Sequence, residues 1–202
     1  GSYRNNAPTA SADRTCKSCA SGTFKADAGN EACQAWRTCQ PGYGYSAGTA
    51  IADSSCTSCQ VGVTFTAAGG TATCEGVSSP CIAGKYTTAL ATASSDRTCD
   101  DCTAGAFAAS AGLMACTAWA TCPIGQGLLF SGSASADRVC EACDGGSTYS
   151  DVNDDSVCKA VSAPCDAGFR TTVAASASND LQCLECGAGR FKAGTSTTLA
   201  TD

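Results

Sequence analysis

Five times the chain carries two cysteines with two residues between them: Cys16-Lys-Ser-Cys19, Cys56-Thr-Ser-Cys59, Cys99-Asp-Asp-Cys102, Cys140-Glu-Ala-Cys143 and Cys183-Leu-Glu-Cys186. Thiols at this spacing can hold a metal ion, run a redox cycle or staple the chain. Zinc wants four ligands at close tetrahedral spacing. The cysteines that follow each clamp, Cys33/Cys39, Cys74/Cys81, Cys116/Cys122 and Cys158/Cys165, are set wider than in a zinc knuckle, and the chain has no His. A redox pair needs a thiolate stabilised at a helix N-terminus, and no such helix is predicted here. Stapling is the chemistry that remains.

Other site chemistries find little support. With no His and no repeated polar trio apart from turn punctuation, neither nucleophilic nor acid–base catalysis can be read, and no enzyme or cofactor is implied. The acidic run Asp151-Val-Asn-Asp-Asp155 contains oxygen donors suited to calcium, but it lacks the spacing of a known loop and reads as a solvated acidic turn.

Composition explains why staples are needed. Leu, Ile, Val and Phe make up only about 12% of the residues, well below an ordinary globular share, so little large apolar surface exists to bury. Ordering a residue's backbone costs about 1–2 kcal/mol, and a bridge closing a loop of about 15 residues returns on the order of 3 kcal/mol. Eighteen cysteines at regular spacing imply an oxidising compartment, secreted or at the cell surface. A net charge of −6 with twelve scattered Lys and Arg forms no basic stripe for nucleic acid. No stretch is apolar enough to insert in a membrane, and Gly1-Ser2-Tyr3 has no signal-peptide character, so the expectation is a mature or excised extracellular segment.

The clamps start at 16, 56, 99, 140 and 183, and the segments between them alternate in kind. Cys33-Gln-Ala-Trp-Arg-Thr-Cys39 matches Cys116-Thr-Ala-Trp-Ala-Thr-Cys122, while Cys74-Glu-Gly-Val-Ser-Ser-Pro-Cys81 matches Cys158-Lys-Ala-Val-Ser-Ala-Pro-Cys165. The higher-order unit is therefore about 84 residues, the mark of a tandem stack. Each repeat holds two half-modules that open Cys-x-x-Gly: Gly22, Gly62, Gly105, Gly146 and Gly189 in the first kind, Gly42, Gly84, Gly125 and Gly168 in the second. A glycine recurring at one backbone place predicts a turn with positive φ. The aromatic after the first kind, Phe24, Phe65, Phe107, Tyr149 or Phe191, is expected to cover the neighbouring disulfide. Asp13, Asp53, Asp96, Asp137 and Asp180, three residues before each clamp, read as local turn caps. Short Thr- and Val-containing runs predict irregular β-hairpins, and apolar helical periodicity is missing.

The pattern Cys-x-x-Gly-x-Phe…Cys followed by Cys-x-x-Gly…Asp-Arg-x-Cys-x-x-Cys resembles the cysteine-rich modules of tumour-necrosis-factor-receptor-like ectodomains, and the related repeats beside ephrin-receptor-type domains. The resemblance covers essentially the whole chain. It implies the pairs Cys19–Cys33, Cys59–Cys74, Cys102–Cys116 and Cys143–Cys158 in first half-modules, and Cys39–Cys56, Cys81–Cys99, Cys122–Cys140 and Cys165–Cys183 in second ones. Cys16 and Cys186 are then unpaired within the segment, or joined between chains. A crossed alternative, Cys16–Cys33 with Cys19–Cys39 and so on, leaves Cys183 and Cys186 over instead. The commonest receptor module has a further crossed disulfide that this pattern lacks.

The expected fold is small and disulfide-rich: an elongated tandem array of short irregular β-hairpin modules with little core and almost no helix. It divides into a partial repeat at 1–18, repeats at 19–58, 59–101, 102–142 and 143–185, and a partial repeat at 186–202. Trp36 and Trp119, each in Trp-x-x-Cys, resemble acceptors for mannose on tryptophan carbon, although packing is the plainer reading. Thr87, Thr88, Thr197 and Thr198 lie in loops that suit O-linked sugars or plain solvation. Loops of Ala, Ser, Thr and Gly are poor in the aromatic and Arg anchors of binding faces. The expected function is accordingly an extracellular structural array, part of a surface fibre, appendage or wall, self-associating head to tail or set in a longer array. The alternative is the ligand-binding ectodomain of a receptor.

Overall fold

A computed structural model describes residues 1–197. Eighteen short strands follow one another with no helix among the described residues, as the patterning predicts. In chain order they are β1 (Ser2–Asn6), β2 (Thr15–Ser18), β3 (Thr23–Phe24), β4 (Gln34–Ala35), β5 (Tyr43–Ser46), β6 (Ser55–Ser58), β7 (Thr64–Phe65), β8 (Glu75–Gly76) and β9 (Lys85–Ala89). The second half continues with β10 (Thr98–Asp101), β11 (Ala106–Phe107), β12 (Thr117–Ala118), β13 (Gln126–Phe130), β14 (Val139–Ala142), β15 (Thr148–Tyr149), β16 (Lys159–Ala160), β17 (Phe169–Val173) and β18 (Gln182–Glu185). Each consecutive pair forms its own two-stranded sheet. A hairpin of four- or five-residue strands thus alternates with one of two-residue strands. The chain divides into two compact units, Gly1–Cys81 with Thr87–Asp100, and Ile82–Tyr86 with the residues from Asp101 onward.

Isolated two-stranded hairpins are marginal in water, and disulfides hold these together. The bridges are Cys19–Cys33, Cys39–Cys56, Cys59–Cys74, Cys81–Cys99, Cys102–Cys116, Cys122–Cys140, Cys143–Cys158 and Cys165–Cys183. They close loops of 14 to 18 residues. Cys16 and Cys186 keep free thiols, Cys16 exposed and Cys186 half-buried. The core is chiefly sulfur: apart from cysteines, the buried hydrophobic residues are Ala91, Ala108 and Leu181. Small hydroxyls pack among the sulfurs. Thr87 donates to Cys81 Sγ at 3.2 Å, cystine sulfur having no proton to give, while Thr171 lies 3.3 Å from Cys165 Sγ and donates its hydroxyl to Ser196 O at 3.1 Å.

Eight of the nine punctuating glycines have positive φ, from +79° at Gly62 to +94° at Gly105. Gly146 does not. There Asp144 accepts the Gly146 N–H at 3.2 Å and the Ser147 hydroxyl at 2.9 Å, so an Asx turn replaces the left-handed residue. Phe191, expected to cover a disulfide, is instead 89% exposed.

Backbone bonds tie each half-module to the next. Ala108 is fully buried; its N–H donates to Ala134 O and its carbonyl accepts from Gly84, both at 2.9 Å. Thr66 bridges Ala93 and Gly42 in the same way, and Ser150 bridges Ala177 and Gly125.

Candidate functional site

The recurring aspartates organise the loops that carry exposed side chains. Each caps the residue after it, Asp13 doing so on Arg14, and Asp53, Asp96, Asp137 and Asp180 also reach back across the hairpin to a segment many residues earlier. Asp53 accepts the N–H of Ser54 and of Arg37, Asp96 those of Arg97 and Ser78, Asp137 those of Arg138 and Ala120, and Asp180 those of Leu181 and Ser162. The expected local cap is therefore a cross-loop staple. Ser78 and Ser162 add hydroxyl bonds to Asp96 and Asp180. Those hydroxyls are the main reason the Asp96 and Asp180 carboxyls are held below the ordinary range, while at Asp53 the Arg37 N–H is the chief cause.

On this frame the third copy carries a group of side chains that the other copies lack. Phe130 and Val139 face one another across β13–β14, with Leu129 at the irregularity beside them. All three are exposed, at 47% for Leu129, 64% for Phe130 and 48% for Val139. The matching register elsewhere holds no aromatic and at most one aliphatic: Asn6 with Thr15, Ser46 with Ser55, Val173 with Gln182. Next to Val139, Arg138 lies over the Trp119 ring at 5.1 Å and pairs with Asp155 at 3.0 Å. An aromatic, two aliphatics and an ordered arginine are thus gathered at one hairpin. Sequence reasoning missed Leu129, Phe130 and Val139; the available signal was the departure of Leu129-Phe130 from Ser46-Ala47, Thr88-Ala89 and Thr172-Val173 at the same place.

The other candidate residues scatter. Trp36 and Trp119 use their ring N–H on Thr49 O at 3.3 Å and Ser133 O at 3.0 Å. Thr87 is 3% exposed with its hydroxyl against sulfur, which removes it as a sugar acceptor in the folded chain. Thr88 is exposed and shares a hydrogen bond with Thr98 at 2.7 Å. Thr197 is exposed, and Thr198 lies outside the described residues. In the acidic run, Asp151 pairs with Lys159, Asp155 with Arg138, Asp154 caps Ser156, and Asn153 accepts the Ile124 N–H. Their oxygens point to separate partners, and no metal-binding cluster is found among the described residues. No helix among them is long and apolar enough to cross a membrane.

No family profile and no curated protein sequence matches the chain. Among solved structures, a chain of the human RANKL/OPG complex superposes with a TM-score of 0.37 at 21% identity, covering 80% of this chain and 96% of that one. A chain of the mouse RANKL-OPG complex gives 0.31 at 20% identity, covering 68% and 98%. Scores this low carry no conclusion about fold or function.

Proposed function

We propose that this chain is a protein-binding array within an extracellular, disulfide-stapled ectodomain of the tumour-necrosis-factor-receptor-like kind. The observation that carries this reading is the exposed Leu129–Phe130–Val139 face beside the ordered Arg138. Single exposed apolar residues such as Ile51 and Leu90 occur in other copies, but only the third gathers an aromatic and two aliphatics at one hairpin, which scaffolding alone does not require. Exposing such side chains costs solubility, and a partner that covers them recovers the apolar area. Aromatic and Arg side chains are also those that dominate binding energy at protein interfaces. Composition argued the opposite, because three residues hardly alter an average over 202.

The test is a binding survey of the full chain against purified secreted and cell-surface proteins, run beside Leu129→Thr/Phe130→Ala, which copies Thr88-Ala89. The expected result is a partner whose Kd rises at least tenfold, about 1.4 kcal/mol, in the variant. Partners that bind both chains equally overturn the reading. Concentration-dependent self-association abolished by the same substitutions would make the face a contact between copies and favour the structural array.

A second reading has one observation in its favour. The free thiols of Cys16 and Cys186 supply two ends through which copies could be joined covalently, as a structural array requires.

A further inference from the structure

In the first and third copies a tryptophan lies beside the loop that joins the two strands of the longer hairpin. Trp119 lies so close to Gly132 that a Cβ there would fall 2.4 Å from the ring. Arg138 covers the ring at 5.1 Å. The second and fourth copies place valine where this tryptophan stands. The backbone shows the equivalence: Trp36, Val77, Trp119 and Val161 donate their N–H to Gly22, Val63, Gly105 and Ser147 respectively. At the glycine's place, five residues before the aspartate, these copies have Ala91 and Ala175. At the arginine's place the second copy keeps Arg97, while the fourth has Leu181, which is buried.

The fourth copy has thus exchanged a Trp–Gly–Arg stack for Val, Ala and Leu, and the exchange leaves a hollow. A cavity of about 560 Å³, within the usual range of ligand sites, is walled by Gly146, Val161, Pro164, Ala175, Leu181 and Thr197. No charged side chain lines it. Two carboxylates flank it. Asp144 hydrogen-bonds the wall residues Gly146 and Ser147 and is kept ionised chiefly by the Gly146 N–H. Asp180 precedes Leu181, and the Ser162 hydroxyl chiefly holds its charge. The nearby cations are already spent, Lys159 on Asp151 and Arg138 on Asp155.

We propose that this cavity is a binding site for an indole side chain on a partner segment that carries lysine or arginine beside its tryptophan. An indole is the group that the same architecture accommodates in the odd copies, with a loop carbonyl as acceptor for the ring N–H. The acidic rim selects a basic segment by charge complementarity. A second copy of this chain is a poor donor, because Trp36 and Trp119 are already hydrogen-bonded within their own modules. The proposal rests on the reading of the chain as a protein-binding array and names the chemistry of one of its partners.

The test uses the full, ¹⁵N-labelled chain with disulfides intact, titrated with acetyl-Lys-Trp-Lys-amide and with acetyl-Lys-Ala-Lys-amide. The tryptophan peptide is expected to give saturable amide shifts confined to residues 145–147, 161–163, 174–175 and 181, weakening as salt is raised. The alanine peptide is expected to give none. Val161→Trp/Ala175→Gly rebuilds the third copy's stack and is expected to lower affinity at least tenfold. Leu181→Arg should do the same, and it covers the case in which the double variant fails to fold. The proposal is overturned if no shifts occur, if the alanine peptide shifts the same residues, or if a folded variant binds as tightly as the parent. Shifts that grow with chain concentration and no peptide would overturn it too, assigning the cavity to a second copy. These substitutions share no residue with Leu129→Thr/Phe130→Ala, so failure of this site and failure of the Phe130 face are separate outcomes.

Discussion

Asp53, Asp96 and Asp180 do more than their position in a turn suggests. Each carboxylate accepts the N–H of the next residue and of one 16 to 18 residues earlier, and each is held below the ordinary carboxylate range, chiefly by the Ser78 and Ser162 hydroxyls at Asp96 and Asp180 and by the Arg37 N–H at Asp53. A carboxyl whose folded pKa is depressed contributes stability that is fully present above the unfolded value of about 3.9. That contribution is lost as pH falls through the lower folded value. Thermal midpoints should therefore be flat at neutral pH and decline below about pH 4. Asp180→Asn, which keeps an acceptor oxygen but no charge, should make the decline shallower by at most one proton's worth of slope. An unchanged acid profile in Asp180→Asn would show that Asp180 contributes no linkage. The sequence exposes the recurrence of Asp but not its reach: the distant donors Arg37, Ser78 and Ser162 all stand four residues after a cysteine, but they differ in residue type and donate through the backbone N–H, which every residue there carries.

At the scale of elements, the hairpins are joined at one buried place, occupied by Thr66, Ala108 and Ser150. Backbone bonds run both ways through each of these residues, so the side chain sits in a gap set by two neighbouring loops. Thr66 and Ser150 satisfy their hydroxyls on the carbonyl two residues on, at Ala68 and Val152. Ala108→Ser should find the same acceptor and cost under about 1.5 kcal/mol, whereas Ala108→Leu should overpack the gap and cost about 1–3 kcal/mol. Urea midpoints of the two variants check this; equal losses would mean that the gap is looser than the bonds imply. The hairpins themselves are legible from Thr- and Val-containing runs between turn glycines. Gly146 is the exception that could not be read, because Asp144 offers a turn by side-chain hydrogen bonds and frees the glycine from positive φ.

For the whole molecule, covalent closure stands in for a core. Bridges spanning 14 to 18 residues each restrict the unfolded chain by on the order of 3 kcal/mol, and buried apolar side chains other than cysteine are few. Cys16 faces Arg4 across β1–β2 at the register where Cys56 faces Tyr45 and Cys140 faces Leu128. The hairpin forms there with a free, exposed thiol. Disulfide mapping by mass spectrometry of natural, non-reduced material decides what that thiol does. A peptide containing Cys186 linked to one containing Cys16 is the outcome expected of a covalent structural array. Both thiols free, or bonded to cysteines outside these 202 residues, would remove the one observation that favours that array over a binding ectodomain.

Cysteine spacing, the scarcity of large apolar residues and the turn glycines determined, by themselves, a disulfide-rich array of short hairpins with almost no helix. These are local and compositional constraints, and they act whatever the rest of the chain does. What only the tertiary structure decided was which side chains face solvent and which space is left empty. Leu129 and Phe130 stand exposed at the irregularity of β13–β14. The hollow at Val161 arises because three residues far apart in sequence, Val161, Ala175 and Leu181, shrink one site together. Exposure and vacancy are properties of packing between segments, and no spacing within one segment encodes them.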